Sequence, residues 1–354
     1  MEILLQEYYK TDISLEKFNP RKLNIDGGSY QICGITQSGK TKLVKSHLVG
    51  LKKRSYLYLD CKDERIEPAS LNAALGTFCL QNSIDTLVLD NYTPDIDLPN
   101  VSQLLLVSGT PHKLEHLQTL WLYPLDYEEF LAHEHKYDSS ALNHYLQLGG
   151  LACMHRLAPD ERVLYVQQKL KLALSETEFE MLKFITRFNA TPLSAFSIYE
   201  RLKQKRKISK DKTYEAYKSL LAKRYLFEVG KYAHPRAVKK LYLADIYFKT
   251  ALTTDKHFGR LFENLIFLEL QKKNRECYYL QNVDFYLPQN NEIILCKPFA
   301  DERSVFKKVE SLEAHLFAYN IRKITAVTMS KEATISHPFS KVEMIPFDIW
   351  ALSE

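Results

Sequence analysis

Six cysteines stand at 33, 61, 79, 153, 277 and 296, and no two of them make a C-x-x-C. That spacing excludes a zinc ribbon and a dithiol redox motif, and scattered single thiols fit a reducing compartment. The opening residues, MEILLQEYYK, lack the basic start and apolar run of a signal peptide. No stretch approaches the roughly 20 apolar residues that span a bilayer. No internal repeat or low-complexity tract is found. These absences predict a soluble, cytoplasmic protein with no membrane partner.

What is present is ordinary globular material. Hydrophobic residues make up 45% and charged residues 26% of 354, and that length predicts two or three domains. Over the first 150 residues, short apolar runs alternate with helical segments. The runs are Tyr30–Cys33, SYLYLDCKD (55–63), LVLDN (87–91), QLLLVSGT (103–110) and LQTLWLYPL (117–125). This alternation predicts the α/β class, a parallel sheet with helical crossovers. Continuous runs such as LVL and LLLV suit strands covered on both faces. Residues 126–135 and 141–148 read as helices, the second stopped by Gly149 and Gly150.

The most specific motif is Gly34-Ile35-Thr36-Gln37-Ser38-Gly39-Lys40-Thr41, which fits G-x-x-x-x-G-K-[ST] at every fixed position. Glycines let the backbone curl so that its N–H groups face phosphate oxygens, and the following helix brings its positive end to the same anion. Lys40 is the expected contact to the β- and γ-phosphates and Thr41 the expected ligand of Mg²⁺. An apolar strand before the motif and a helix after it count against a chance match. The predicted cofactors are therefore ATP and Mg²⁺, with ATP and ADP as the small-molecule partners.

A metal-supporting acid is needed on a neighbouring strand. Leu87-Val88-Leu89-Asp90 supplies it, so Asp90 joins Thr41 as a metal candidate. Many ATPases place Glu next, to activate the attacking water, but here Asn91 follows. An amide orients a water and does not accept its proton, so binding is better supported than fast hydrolysis. Asp95 and Asp97 are nearby acids, more simply read as solvated loop residues. Ser108 ends the strand QLLLVS where a sensor of the γ-phosphate is expected; the alternative is a simple Ser-Gly-Thr turn. Asp90, Asn91 and Ser108 are the candidate catalytic residues.

The middle of the chain is basic. Residues 201–240 hold fourteen Lys or Arg against Asp211, Glu215 and Glu228, an excess larger than the +5 of the whole chain. Such asymmetry points to a polyanion. Two helical segments, SAFSIYERLKQ and DKTYEAYKSLLAKRYL, flank the turn KISK. Phe227 to Tyr232 is the expected hairpin. That order predicts a winged helix-turn-helix, with Ile198, Leu202, Tyr217, Leu220 and Leu221 inward and the cations on double-stranded DNA. The alternative is a solvated charged face on a domain that only packs and assembles.

The order of these motifs resembles prokaryotic AAA+-like ATPases that join a P-loop domain to a winged helix and a C-terminal restriction-endonuclease-like module of unknown function. The resemblance rests on GITQSGKT, LVLDN and LVSGT, then on the block Tyr123 to Phe130 and on Leu148 to Leu151. In the last third it rests on Gly259 to Asn264 and Val283 to Phe285. It implies a P-loop domain at 1–150, a basic helical and winged-helix domain at 151–244, and an α+β endonuclease-like module at 245–354. Departures are Asn91 in place of Glu, no Gly-Arg before Pro124, and Ala152 in place of Pro. The missing arginine removes a stabiliser of γ-phosphate charge and weighs against a ring with shared active sites, though an oligomer is compatible. The family's nuclease-like module implies roles for Glu263 and Asp284 and an acid-x-Lys pair. Here that pair reads Leu295-Cys296-Lys297, so its chemistry is expected to be lost. Three functions compete: a slow, DNA-associated ATPase; a nucleotide-dependent switch acting on proteins; and an ATP-dependent nuclease.

Overall fold

The computed structural model describes residues 1–13, 20–134, 140–204 and 208–353. Lys205, Arg206 and Lys207 of the basic segment, and His135 at the end of an expected helix, lie outside the described residues. The chain divides into two compact units, Met1–Pro124 and Leu125–Glu354.

The first unit is a five-stranded parallel sheet. Its elements are α1 (Glu2–Lys10), β1 (Tyr30–Cys33), α2 (Lys40–Val49), β2 (Tyr56–Asp60), α3 (Pro68–Gln81), β3 (Thr86–Asp90), β4 (Gln103–Ser108) and β5 (Gln118–Trp121). The strand order is β2-β3-β4-β1-β5. The inner strands β3 and β4 are buried at every position, as their unbroken apolar sequence requires when helices cover both faces. Alternation within β3 assigns the faces. Leu87 and Leu89 pack with Leu5 of α1 and Leu71, Leu75 and Phe78 of α3. Val88 packs with Leu43, Val44 and Leu48 of α2. The fifth apolar run yields only the four-residue β5, an edge strand with an exposed or half-buried pattern. Edge strands have one neighbour and need less apolar cover.

The second unit begins with α4 (Tyr127–Glu134), α5 (Ser140–Leu148), α6 (Arg162–Ala173) and α7 (Glu176–Thr186). A capping box, Ser175 with Glu178, starts α7 and separates it from α6. Gly149 ends α5 at φ 65°, and a Cβ there would stand 2.2 Å from Asp245 Oδ1. Next come β6 (Thr191–Pro192), α8 (Ala195–Lys203), α9 (Lys210–Ala222), β7 (Leu226–Val229) and β8 (Lys240–Leu243), whose strands pair antiparallel in the order β6-β8-β7. Ser194 and Ser209 cap α8 and α9. Ile198, Leu202, Tyr217 and Leu220 are buried, while Leu221 is only half-buried. β7 falls where the hairpin is expected, but its partner strand starts at Lys240, so the intervening loop spans 230–239.

The chain continues through α10 (Tyr247–Leu252), α11 (Phe258–Lys272), β9 (Tyr278–Leu280), β10 (Val283–Leu287) and β11 (Glu292–Cys296). It ends with α12 (Glu302–Glu310), α13 (Glu313–Ala318), β12 (Lys323–Thr328), β13 (Ala333–Ile335), β14 (Lys341–Pro346) and α14 (Phe347–Leu352). Six strands form a mixed sheet in the order β13-β14-β12-β11-β10-β9. α12 buries Val305 and Val309, α13 buries Leu316, and Leu312 between the two helices joins the same core. Among the described residues, no helix is long and apolar enough to cross a membrane.

Candidate functional site

The C-terminal ends of β1, β4 and β3 stand side by side in the first unit. From β1 the chain runs to β2 at one edge, and from β4 it runs to β5 at the other. Open α/β sheets bind ligands where successive connections part in this way. The predicted residues collect here. Gly34 and Ile35 leave β1; a Cβ on Gly34 would stand 2.3 Å from the Leu122 carbonyl, so only glycine fits. Thr36 and Gln37 form the turn, Gln37 at φ 64°. Ser38 is fully buried, and its Oγ has no hydrogen-bond partner among the described residues. Gly39, at φ 99°, is the N-cap of α2 and offers no side-chain cap. The amides of Lys40 and Thr41, at the start of α2, have no intrahelical acceptor and no cap from Gly39.

Lys40 Nζ donates to the carbonyls of Gly34 and Ile35, each at 2.8 Å. Burial draws this ammonium down to about 8, and the charge of Asp90 opposes the shift. Thr41 Oγ1 donates to Asp90 Oδ2 at 2.6 Å, and the Tyr58 hydroxyl donates to the same oxygen at 2.8 Å. Burial and then the Asp90 charge push the Tyr58 phenol well above its ordinary value. Asn91 has φ 57°, a conformation asparagine tolerates and bulkier residues resist. Its amide Nδ2 donates to Asp60 Oδ1 at 2.8 Å, and its backbone N–H donates to Asp90 Oδ1. Ser108 pairs in register with Cys33 beside the loop, and its hydroxyl donates to the Thr110 carbonyl at 2.6 Å. Asp95 and Asp97 are exposed on the loop after β3, where Asn72 holds their backbone.

An ordinary P-loop ligand fits this arrangement. Among the described residues, the helix start without a side-chain cap, the unpartnered Ser38 hydroxyl and a lysine held by neutral carbonyls all lack an anion. Among the described residues, no group of three or more His, Cys, Asp or Glu side chains could hold a metal. Asp90 and Thr41 therefore offer two oxygens to a hard cation, with the remainder left to phosphates and water.

Three side chains at this site escape a reading by motif. Tyr58 and Asp60 occupy alternate positions of β2, and Asp60 registers against Asp90. That period of two is the signal that could have found them. Arg21 is buried; its two terminal nitrogens donate to the carbonyls of Ser38 (2.8 Å) and Tyr123 (2.7 Å), bracing the loop from behind. Nothing in the surrounding sequence marks it.

In the second unit, Glu263 lies on α11 and Asp284 on β10. Glu263 Oε1 accepts hydrogen bonds from Lys240 Nζ and from the Tyr242 hydroxyl, both at 2.8 Å. Asp284 Oδ2 accepts from the Cys296 backbone N–H. Burial disfavours the Lys240 charge, but Glu263 and Asp284 together hold it above its ordinary value. Leu295 is wholly buried.

The basic segment is less free than its composition suggests. Lys223 pairs with Glu178 at 2.6 Å, Lys239 with Glu228 at 2.6 Å, and Lys240 with Glu263. Arg201, Lys203, Lys210, Lys212 and Lys218 remain exposed on α8 and α9. Arg201 lies over the Phe188 ring, and Lys210 approaches Phe196 and Tyr214.

No protein-family model matches the chain, and no curated protein matches it. Among solved structures it is similar to the Orc1 protein of Aeropyrum pernix in complex with DNA, at 14% identity and a TM-score of 0.29. The match covers 66% of this chain and 88% of that one. A similarity of that size carries neither function nor site residues across.

Proposed function

We propose that this is an ATP-binding, AAA+-like protein, a slow ATPase that associates with DNA through its basic segment. One observation carries the nucleotide reading: among the described residues, the loop 34–41 leaves α2 without a side-chain cap and Lys40 without a carboxylate partner, with Thr41 on Asp90. On this reading the loop amides and Lys40 hold the phosphates, and Thr41 and Asp90 hold Mg²⁺, which supplies charge neutralisation when bound. Ser108 senses the γ-phosphate from the end of β4. Slow turnover is supported by Asn91, whose amide hydrogen is committed to Asp60 and which has no basic atom for a water proton.

DNA association is supported by the exposed cations of α8 and α9. The alternative, a nucleotide switch acting on proteins, is favoured by the same slow site and by the ion pairs that consume Lys223 and Lys239. The nuclease reading is disfavoured, because Lys240 already occupies Glu263 and Leu295 cannot ligate a metal.

Phosphate release by wild type and Lys40→Ala is the primary test. A slow rate lost in the variant is expected; equal background release from both would make the protein a binder and not an ATPase. Duplex DNA titrated at rising salt tests the second half. Affinity should fall steeply with salt, and no binding at low salt with or without ATP would favour the switch.

A further inference from the structure

A second concave site lies wholly within the second unit and is used by none of the chemistry above. It is a cleft of ≈ 460 Å³ walled by α5, α10, the turn 253–257 and the first turn of α11. That is within the range of roughly 300–1,000 Å³ typical of small-molecule pockets. Leu146, Phe258 and Leu261 supply its apolar wall.

Two independent features give the cleft a positive character. The first is Lys249, which lines it while being only 3% exposed. Its Nζ has no hydrogen-bond partner among the described residues. An ammonium in that position is costly unless a counter-charge reaches it. Burial, and then repulsion from Arg260, hold it below its ordinary value, with Asp255 opposing. The second feature is the start of α11. This helix has 15 residues, and its N-cap, His257, makes no side-chain cap. Its first-turn amides have no intrahelical acceptor, and the helix dipole adds to their pull on an anion. His257 and Phe258 line the same cleft. Among the residues that line the cleft, one acid, Asp255, stands against Lys249 and Lys256.

We propose that this cleft binds a small organic anion, its carboxylate or phosphate head between Lys249 Nζ and the first turn of α11 and its apolar body against Leu146, Phe258 and Leu261. The carboxylate and the phosphate share one recognition chemistry: a compact negative head on buried donors and an apolar group filling the remaining volume.

The test is calorimetric titration of the full chain with benzoate, phenyl phosphate and, as a cationic control of like shape, benzylamine. Each titration is repeated in Lys40→Ala, which removes the P-loop as a competing phosphate site. Binding of benzoate or phenyl phosphate to both proteins is expected, and the tighter of the two identifies the head group. Lys249→Met should weaken it at least ~10-fold, the loss of one charge-assisted contact. Because the variant also removes an unpartnered buried charge, its thermal midpoint should equal or exceed that of wild type. The proposal is overturned if neither anion binds Lys40→Ala, if Lys249→Met binds as wild type does, or if benzylamine binds as tightly as benzoate. Trace acetylation of the wild type gives a second readout that needs no variant. Saturating benzoate should slow modification of Lys249 and leave Lys218 on α9 unchanged; equal rates at Lys249 with and without benzoate would also overturn it.

Discussion

Two places in this chain bring a lysine, a tyrosine and a carboxylate together under burial. In the first unit, Lys40 donates to two neutral carbonyls, while Tyr58 and Thr41 share Asp90. In the second unit, Lys240 and Tyr242 both donate to Glu263. The residue types match, but the counter-charge does not. Lys40 is drawn down by burial, whereas Lys240 is held up by the carboxylates facing it. A buried ammonium without a carboxylate on it still lacks an anion, and one paired to a carboxylate is already complete. The comparison separates a site open to a ligand from a site that holds its own cation.

The largest effect should come from breaking the complete site. Lys240→Met leaves Glu263 buried without its cation, at an expected cost of about 3 kcal/mol. Lys40→Met should cost little or nothing in the unliganded protein, since no carboxylate loses a partner. Urea denaturation separates the two if Trp350 and Trp121 are followed one at a time, because each unit holds one of the chain's two tryptophans. Equal losses in both variants would erase the distinction. A smaller effect is expected at Gly34. Gly34→Ala drives a Cβ against the Leu122 carbonyl, whose residue is also tied by its N–H to Cys33. Overpacking against backbone should cost about 2 kcal/mol and abolish ATP binding. Retained ATP affinity would show that the loop does not need its tight approach to the Leu122 carbonyl. Smaller again is Tyr58→Phe, which removes one donor to Asp90 at about 1 kcal/mol. It should change Mg²⁺-dependent ATP affinity less than tenfold, and no change at all would make Tyr58 a packing residue only.

The two sites were unequally legible in the sequence. The loop 34–41 reads directly as a motif, because four fixed residues within eight carry the constraint and the apolar runs around it encode strands by composition. Tyr58 and Asp60 do not, because they act across 32 and 31 residues that only strand order closes, and Arg21 does not because it acts from irregular chain outside any motif. The pairing of Lys240 with Glu263 is illegible for the same reason. As composition, Lys240 is one of fourteen basic residues in 201–240; in the fold it is a buried ion-pair partner of α11. Net charge counts residues and cannot say which are spent inward. By sequence, Asn91 in place of Glu is a change in catalytic chemistry, and its left-handed φ supplies a backbone reason that the sequence hides.

The smallest effect sharpens the comparison most, since it reads the charge of Lys40 itself. Its value in the folded, unliganded protein is about 8, against 10.5 for an exposed lysine. The unfolded chain therefore binds more protons than the folded one across that window. Unliganded stability should rise as pH increases from about 8 to 10.5 and be insensitive to this group below it. Nucleotide phosphates beside Lys40 reverse the shift, so binding at pH 8 should take up roughly half a proton. Calorimetry of ATP binding in buffers of different ionisation enthalpy measures that uptake. It should disappear in Lys40→Arg, whose guanidinium stays charged throughout, and in the wild type fall towards zero below pH 7, where the lysine is already charged. Uptake that persists in Lys40→Arg would assign the proton to another group and remove the contrast with Lys240.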